Sequence, residues 1–320
     1  MFKHVRRIIR LVIIITGSSG FIGSHLVPLI RKKYKGEKLF LVDKPRYNLV
    51  TGKGLHKITG KPRFVIHLAG QTDTSQKGHQ DNVTGAKNLI NSLKHLDNKT
   101  HFIFTSSLAV YSGRKDCNKA ITTKTTPVSS NEYGTSKLHA EEVLRTAAEI
   151  RGFKLTTVRL PTVWGENPRK NSFLNFLRTL VKKNSIFSRI DWPGKTGLIN
   201  IDDVAKYLLN LFSKPPKKYQ IIPIAAENLT LKEIFKTLYK SSGKKYEGIT
   251  IPNTVWKVAR FLKNYLSYFE PILPTQVYNY FWRASIVVDN PLYCKVDVKG
   301  IKFTKFIFPQ RYPLKRNYSP

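Results

Sequence analysis

Thr16-Gly17-Ser18-Ser19-Gly20-Phe21-Ile22-Gly23 follows an aliphatic run, Leu11-Val12-Ile13-Ile14-Ile15. It precedes a helical pattern that passes from Phe21 through His25, Leu26 and Leu29 to about Lys33. A continuous apolar run of that length reads as a buried parallel strand. The glycines permit a tight turn, and the helix starting there aims its first amides at whatever lies beyond the strand end. Strand, glycine loop and helix in this order predict a pyrophosphate cradle, whereas glycine spacing alone would equally suit an ordinary strand-to-helix turn.

Working outward, Lys38-Leu39-Phe40-Leu41-Val42-Asp43 reads as a second strand ending in an acid. Asp43 lies where a dinucleotide fold places the carboxylate that binds the adenosine ribose. Lys44 and Arg46 follow at once and could receive a 2′-phosphate, so NAD and NADP both stay open, with the acid pointing to NAD. Arg63–Gly70 is the next strand, after a gap that allows a short crossover but hardly a full strand-helix repeat. A helix is expected over about Asn82–Leu96, and then a strand over His101–Thr105 that opens onto Ser106-Ser107-Leu108-Ala109-Val110-Tyr111. The Lys-, Thr- and Ser-rich stretch Ser112–Asn131 reads as an exposed loop. A long helix starts near Glu132 and ends at Gly152, and strand Leu155–Leu160 follows. Alternating strands and helices predict an α/β fold, a Rossmann-type doubly wound parallel sheet whose ligand lies at the carboxyl ends of the strands. Gly17, Ala69, Ser107 and Pro161 fall at such ends.

Beyond Trp164 the pattern changes. Helices are expected over about Ser172–Lys183 and Asp202–Phe212, and strands over Leu198–Ile201 and Tyr219–Ala225. Thr230-Leu231-Lys232-Glu233 has the form of a capping box opening a helix that Gly243 ends. Asn253 to about Phe269 reads as a helix apolar nearly all round, followed by the aromatic and basic segment Tyr278–Arg283. The expected division is a dinucleotide-binding domain over residues 9–165 plus about 198–224. A smaller, mostly C-terminal substrate-binding domain takes about 166–197 plus 225–320.

The 320 residues include 55 Lys and Arg against 20 Asp and Glu, a net charge of +35 that attracts polyanions unless it reflects a general lysine bias. Two cysteines exclude a disulfide framework and a Cys-rich zinc site, so no metal is expected and a reducing, cytoplasmic compartment fits best. Arg6, Arg7 and Arg10 before an apolar run imitate a signal peptide, but the run is short and passes directly into the glycine loop. No stretch reaches the roughly 18–20 uninterrupted apolar residues of a membrane span.

Tyr133-Gly134-Thr135-Ser136-Lys137 carries the chemistry. Tyr and Lys at i and i+4 share one helix face. A neighbouring ammonium favours the phenolate and brings the tyrosine towards the range of a general base. Ser107, at the end of an adjacent strand, can hydrogen-bond the same substrate hydroxyl. Together they can deprotonate an alcohol, or protonate an alkoxide, while a nicotinamide accepts or gives a hydride.

Five motifs now stand in order: Thr16–Gly23, His67-Leu68-Ala69-Gly70, Thr105–Tyr111, Tyr133–Lys137 and Ile201-Asp202-Asp203-Val204-Ala205. Together they resemble the extended short-chain dehydrogenase/reductases, most closely the NAD-dependent epimerase/dehydratase branch that acts on nucleotide sugars. The resemblance implies Tyr133 as catalytic acid or base, Lys137 on the nicotinamide ribose, and Ser107 orienting the sugar hydroxyl or ketone. It implies Gly17, Gly20, Phe21, Ile22 and Gly23 at the pyrophosphate, Asp43 on the adenosine ribose, and Leu68, Ala69 and Gly70 beside the dinucleotide. Pro161 would sit against the nicotinamide. Three departures bear on the substrate. The Asp-Glu pair of nucleotide-sugar dehydratases is missing, Ser106-Ser107 standing in its place, which argues against 4,6-dehydration. Thr162 stands where epimerases often have Asn. Lys195 precedes the Asp-Asp-Val-Ala segment where an Arg often holds the diphosphate, and Lys195, Arg169, Lys170 or Arg283 could substitute for it.

The leading expectation is an NAD(P)-dependent epimerase or reductase of a nucleotide-linked sugar, working as a homodimer. An alternative keeps the catalytic residues but acts on a lipid-like or other small alcohol. The apolar helix over Asn253–Phe269 and the basic surface would then make peripheral contact with anionic membrane. A third reading uses the charge on nucleic acid. The intact Ser107, Tyr133 and Lys137 set, with no nucleic-acid motif beside it, argues against that.

Overall fold

In the computed structural model the apolar run becomes strand β1 (Val12–Thr16), buried along its whole length. The structure describes residues 11–72, 78–114, 119–166, 168, 171–192, 194–252, 254–255, 285–289 and 302–305. The helix over Asn253–Phe269, the aromatic segment, Arg169, Lys170 and Arg283 lie largely or wholly outside them. Helix α1 (Phe21–Lys33) leads to β2 (Lys38–Val42), β3 (Pro62–His67), α2 (Asp81–Ser92), β4 (His101–Ser107), α3 (Glu132–Arg151) and β5 (Lys154–Leu160). Then come β6 (Thr162–Trp164), α4 (Phe173–Lys182), β7 (Lys195–Asn200), α5 (Ile201–Leu211), β8 (Tyr219–Pro223), β9 (Glu227–Thr230), α6 (Leu231–Ser241) and β10 (Ser285–Ile286).

Six strands form one parallel sheet in the order β2-β1-β3-β4-β5-β8. The order reverses between β1 and β3, which makes the carboxyl end of β1 the switch point where such sheets bind ligands. Alternate residues of each strand feed two cores. Ile14, Val65, Phe102, Phe104 and Leu155 pack with α2 and α3 through Ala86, Leu89, Ala140 and Leu144. Ile13, Ile15, Ile66, Ile103 and Val158 pack with α1 and α5 through Leu26, Ile30, Val204 and Leu208. Both faces are covered, as a parallel sheet requires.

A doubly wound dinucleotide fold commonly has three strands on the β1 side of the switch point. Among the described residues that half has only β2 and β1, which leaves β2 at the edge. Between Val42 and Pro62 the chain makes a single 3₁₀ turn, Leu55–Lys57. Tyr47, Leu55 and Ile58 from this segment are buried against the α2 and α3 core, so three side chains fill space that a crossover helix would otherwise cover. The short gap in the sequence thus reflects an omitted strand-helix repeat.

A second sheet orders β10-β7-β6, with β9 antiparallel to β7. Trp164, Leu198 and Leu229 from these strands pack with Leu174, Leu177 and Val181 of α4 and Ile234, Phe235 and Leu238 of α6. The capping box is present: Thr230 Oγ1 accepts from Glu233 N at 3.2 Å, and Glu233 Oε2 accepts from Thr230 N at 2.7 Å. Several expected boundaries shift. β4 extends to Ser107, α2 stops at Ser92, and the strand expected to start at Leu198 starts at Lys195. The stretch 112–131 is not simply exposed. Ile121 is fully buried and bridges Val288, among Leu108, Val110, Tyr111 and Ala225.

Candidate active site

Gly17 follows β1 with φ +69°, a conformation that suits glycine. A Cβ there would stand 2.7 Å from Ala69 N, so the loop after β1 lies directly against the loop after β3. A Cβ on Gly23 would stand 2.2 Å from Gly17 O and 2.5 Å from Ser18 O, so this glycine lets α1 fold back onto its own entry loop. Gly20 differs: a Cβ there would meet only Gly17 O, at 3.2 Å, and otherwise point into open space. Gly20 is also the N-cap of α1, with no side-chain cap and no acid in the first helical turn. An uncapped helix start beneath open space suits an anion. Phe21 and Ile22 occupy that first turn.

Asp43, just past β2, reaches the same loop. Its carboxylate accepts hydrogen bonds from Ser18 Oγ and, at 3.0 Å, from Ser19 N. The expected ribose-binding acid therefore stands beside the glycine loop at the end of the neighbouring strand.

Tyr133 and Lys137 lie one turn apart near the start of α3. Asn131 caps this helix, its Oδ1 accepting from Gly134 N at 2.8 Å. Gly134 is tightly enclosed: a Cβ there would stand 2.4 Å from Ser129 Oγ and 2.5 Å from Ala109 O. Its bareness brings the start of α3, which carries Tyr133, against the 3₁₀ turn Leu108–Tyr111 that follows Ser107 at the end of β4. Ser107 is half-buried, its Oγ accepting from Ala109 N at 3.1 Å.

Lys137 is 3% exposed. Its ammonium donates to Thr105 O at 3.1 Å, lies 4.9 Å above the Phe104 ring, and stands 3.1 Å from where a Cβ on Gly70 would be. A buried cation needs such partners. Its charge also acts on His67, which burial first and Lys137 second push down to about 3. His67 is therefore a neutral structural group, bonded through Nδ1 to Thr16 Oγ1 at 2.7 Å and stacked on Phe104. Thr16 Oγ1 also accepts from Ala69 N at 3.2 Å, which fixes the Leu68-Ala69-Gly70 loop to the end of β1.

Asn82 stands in the first turn of α2, almost fully buried. Its Oδ1 accepts from Gln71 N at 2.7 Å, while Nδ2 donates to Gln71 O and Ser136 Oγ, both at 3.0 Å. One amide thus joins the loop after β3 to the helix that carries Tyr133 and Lys137. Asn in a first helical turn is so ordinary that the sequence offers little signal for this. Behind the site Arg159 of β5 pairs twice with Glu141 of α3, at 3.0 and 2.6 Å, and donates to Tyr111 Oη at 2.5 Å. Burial works to lower the Arg159 pKa, but Glu141 outweighs it and the guanidinium stays charged. Burial raises the Tyr111 phenol, with Arg159 opposing.

The remaining expected residues divide. Pro161 and Thr162 are half-buried at the end of β5 and the start of β6, and Pro161 Cβ lies 3.4 Å from where a Cβ on Gly197 would be. Lys195 is exposed at the start of β7, opposite Thr230. Thr162 pairs with Leu198, so Lys195 sits three residues upstream, about 10 Å along the strand, and is not brought to Thr162.

The residues fit a dinucleotide. The glycine cradle would hold the pyrophosphate, Asp43 the adenosine ribose and Lys137 the nicotinamide ribose, and the bound dinucleotide supplies a hydride acceptor or donor. Comparison with known proteins agrees. The family model for the NAD dependent epimerase/dehydratase family matches residues 13–225. A curated GDP-6-deoxy-D-talose 4-dehydrogenase of Aggregatibacter actinomycetemcomitans is 25% identical over 242 residues, 73% of this chain and 81% of that protein. Among solved structures, RMD of Pseudomonas aeruginosa complexed with NADPH aligns with TM-score 0.60 and 22% identity, over 76% of this chain and 87% of that one. A UDP-glucuronic acid 4-epimerase of Bacillus cereus, in complex with UDP-glucuronic acid and NAD, aligns with TM-score 0.62 and 21% identity, over 75% and 86%. The chain belongs to the NAD dependent epimerase/dehydratase family and is an enzyme of nicotinamide-dinucleotide chemistry.

Proposed function

We propose that this enzyme transfers a hydride at a carbinol or ketone carbon of a nucleotide-linked sugar, as an epimerase or a reductase, with Tyr133 as general acid and base. The observation that carries the reading is the junction at Lys137, where a buried ammonium meets the end of β4 and the bare Gly70 one helical turn from Tyr133. The similarity to a GDP-sugar dehydrogenase supports the substrate class.

In the oxidative direction Tyr133, as phenolate, takes the hydroxyl proton of the sugar while the carbinol hydrogen leaves as hydride. In the reductive direction the phenol returns that proton to the carbonyl oxygen. Ser107 orients the reacting oxygen by a hydrogen bond. Lys137 favours the phenolate by its charge and holds a ribose hydroxyl. The second sheet and its helices are the proposed substrate side, with Thr162 at its edge. Lys195 is a weaker candidate for the diphosphate, because it lies far along β7 from Thr162.

The test is to release and identify any dinucleotide that co-purifies, and then to run a panel of UDP-, GDP- and dTDP-sugars. Turnover of one of these with the spectral signature of a reduced nicotinamide is expected. Pure protein that neither carries nor binds NAD(H) or NADP(H) would overturn the reading.

A further inference from the structure

Beyond α4 the chain turns sharply at Asn184, whose φ is +50°, and enters a short 3₁₀ turn over Ile186–Ser188. Ser188 anchors the turn: it is buried, and its Oγ lies 2.7 Å from Tyr239 Oη of α6. Ile186 and Phe187 beside it are 59% and 43% exposed. The Phe187 ring is held in place. It stacks on Trp192 with planes 11° apart, and Phe187 O accepts from Trp192 Nε1 at 2.8 Å.

Positive charge surrounds this tip. Lys182 and Lys183, where α4 ends, are exposed. The segment 243–250 runs alongside, with Ile249 N donating to Arg189 O at 2.8 Å and Lys244 Nζ donating to Val181 O at 3.3 Å. It adds Lys244 and Lys245, both exposed. The two acids of these segments are already matched, Glu247 with Arg189 at 3.5 Å and Asp191 with Lys232 at 2.6 Å. Lys182, Lys183, Lys244 and Lys245 are therefore surplus charge around exposed apolar side chains.

Two apolar side chains fall well short of the roughly 20–30 residues a side of a stable protein interface. Nucleic acid would use the lysines but gains nothing from Ile186. An anionic bilayer uses both: apolar side chains enter its acyl boundary, aromatic rings suit the headgroup level, and lysines meet the negative headgroups.

We propose that the tip over residues 182–192, with Lys244 and Lys245 beside it, docks on an anionic membrane surface, Ile186 and Phe187 entering the interface while the lysines hold the headgroups. This goes beyond the proposed function and does not depend on it.

The experiment measures vesicle binding by flotation, with phosphatidylcholine alone and with about 30% phosphatidylserine added, at about 0.1 M and about 0.5 M salt. The full chain is compared with three variants. One combines Ile186→Ser and Phe187→Ser. The second combines Lys182→Gln, Lys183→Gln and Lys245→Gln. The third combines Lys214→Gln, Lys217→Gln and Lys218→Gln, which removes the same charge from exposed positions between α5 and β8. Circular dichroism verifies that each is folded. Wild type should bind the anionic vesicles at least about tenfold more strongly than the neutral ones, and less at the higher salt. The serine variant should bind about tenfold more weakly, the tip lysine variant about 30- to 100-fold more weakly, and the third variant within about threefold of wild type. Ile186→Ser alone leaves the ring stack intact and should still cost about threefold. Absence of wild-type binding would overturn the proposal. So would a third variant that falls as far as the tip lysine variant, since net charge alone would then attract the protein. Serine variants within about twofold of wild type would overturn the insertion of Ile186 and Phe187, and the proposal with it. Binding of single-stranded RNA that the tip lysines carry, with vesicles ignored, would overturn it in favour of nucleic acid.

Discussion

A side chain at position 70 would stand 2.8 Å from Asn82 Oδ1 and 3.1 Å from the Lys137 ammonium, so the bare glycine keeps open the point where β3, α2 and α3 meet. Gly70→Ala must displace one of those two groups. It should weaken dinucleotide binding about tenfold, measured by titration with NADH and NADPH, and lower the thermal midpoint as well, because the group displaced is the buried Asn82 amide or the buried Lys137 ammonium. Gly23→Ala acts through the backbone instead. Its Cβ would meet two backbone oxygens that cannot move without unwinding the loop, so a loss of about 1–3 kcal/mol in urea unfolding should accompany the loss of binding. Glycines at a strand-to-helix turn and the Tyr-Lys spacing were legible in the sequence because each is a local geometric requirement. Asn82 was not, because its role arises from contacts with Gln71 and Ser136 that no local pattern encodes.

At the scale of elements, α3 is held to β5 by a buried ion pair whose side chains are 4% and 6% exposed. Removing one partner strands the other charge, so Arg159→Leu should cost about 3–5 kcal/mol in urea unfolding. That loss should carry Tyr133 out of register and reduce turnover as well. The capping box of α6 is lighter: Thr230→Ala should cost about 1 kcal/mol. Long helices were readable from their caps and glycine stops, α3 from Asn131 to Gly152 above all. The short strands were not. β6 has three residues and β9 has four, too few for an alternation, and they exist because β7 lies between them. Ile121 was hidden in a polar stretch for the same kind of reason, since its burial depends on Val288, far away in the chain.

For the molecule as a whole, the sequence indicated a doubly wound sheet, and its short gap after Asp43 already hinted at the strand-helix repeat missing next to β2. Two buried histidines tie this core to pH. Burial and Lys137 push His67 down to about 3, and burial, Lys154 and Arg63 push His101 down to about 4. Both folded values lie below the unfolded value of about 6.5, so the unfolded chain binds the extra protons. Their neutral forms are accommodated fully above about pH 6.5, and stability falls as the pH drops from there towards 3–4. At pH 5 each should cost about 2 kcal/mol relative to neutral pH. Urea unfolding at pH 7 and pH 5 checks this, with His101→Leu expected to reduce the fall by about the share of one histidine.

The proposed chemistry centres on Tyr133 moving the proton of a sugar hydroxyl while a hydride passes between that carbon and a nicotinamide. The most direct test follows the reduced-nicotinamide absorbance in single turnover, with whichever nucleotide sugar the panel identifies, for wild type and Tyr133→Phe at equal dinucleotide saturation. The account predicts a hydride-transfer rate at least about 100-fold lower in the variant, with dinucleotide affinity changed by no more than about threefold. Transfer at the wild-type rate in Tyr133→Phe would contradict it.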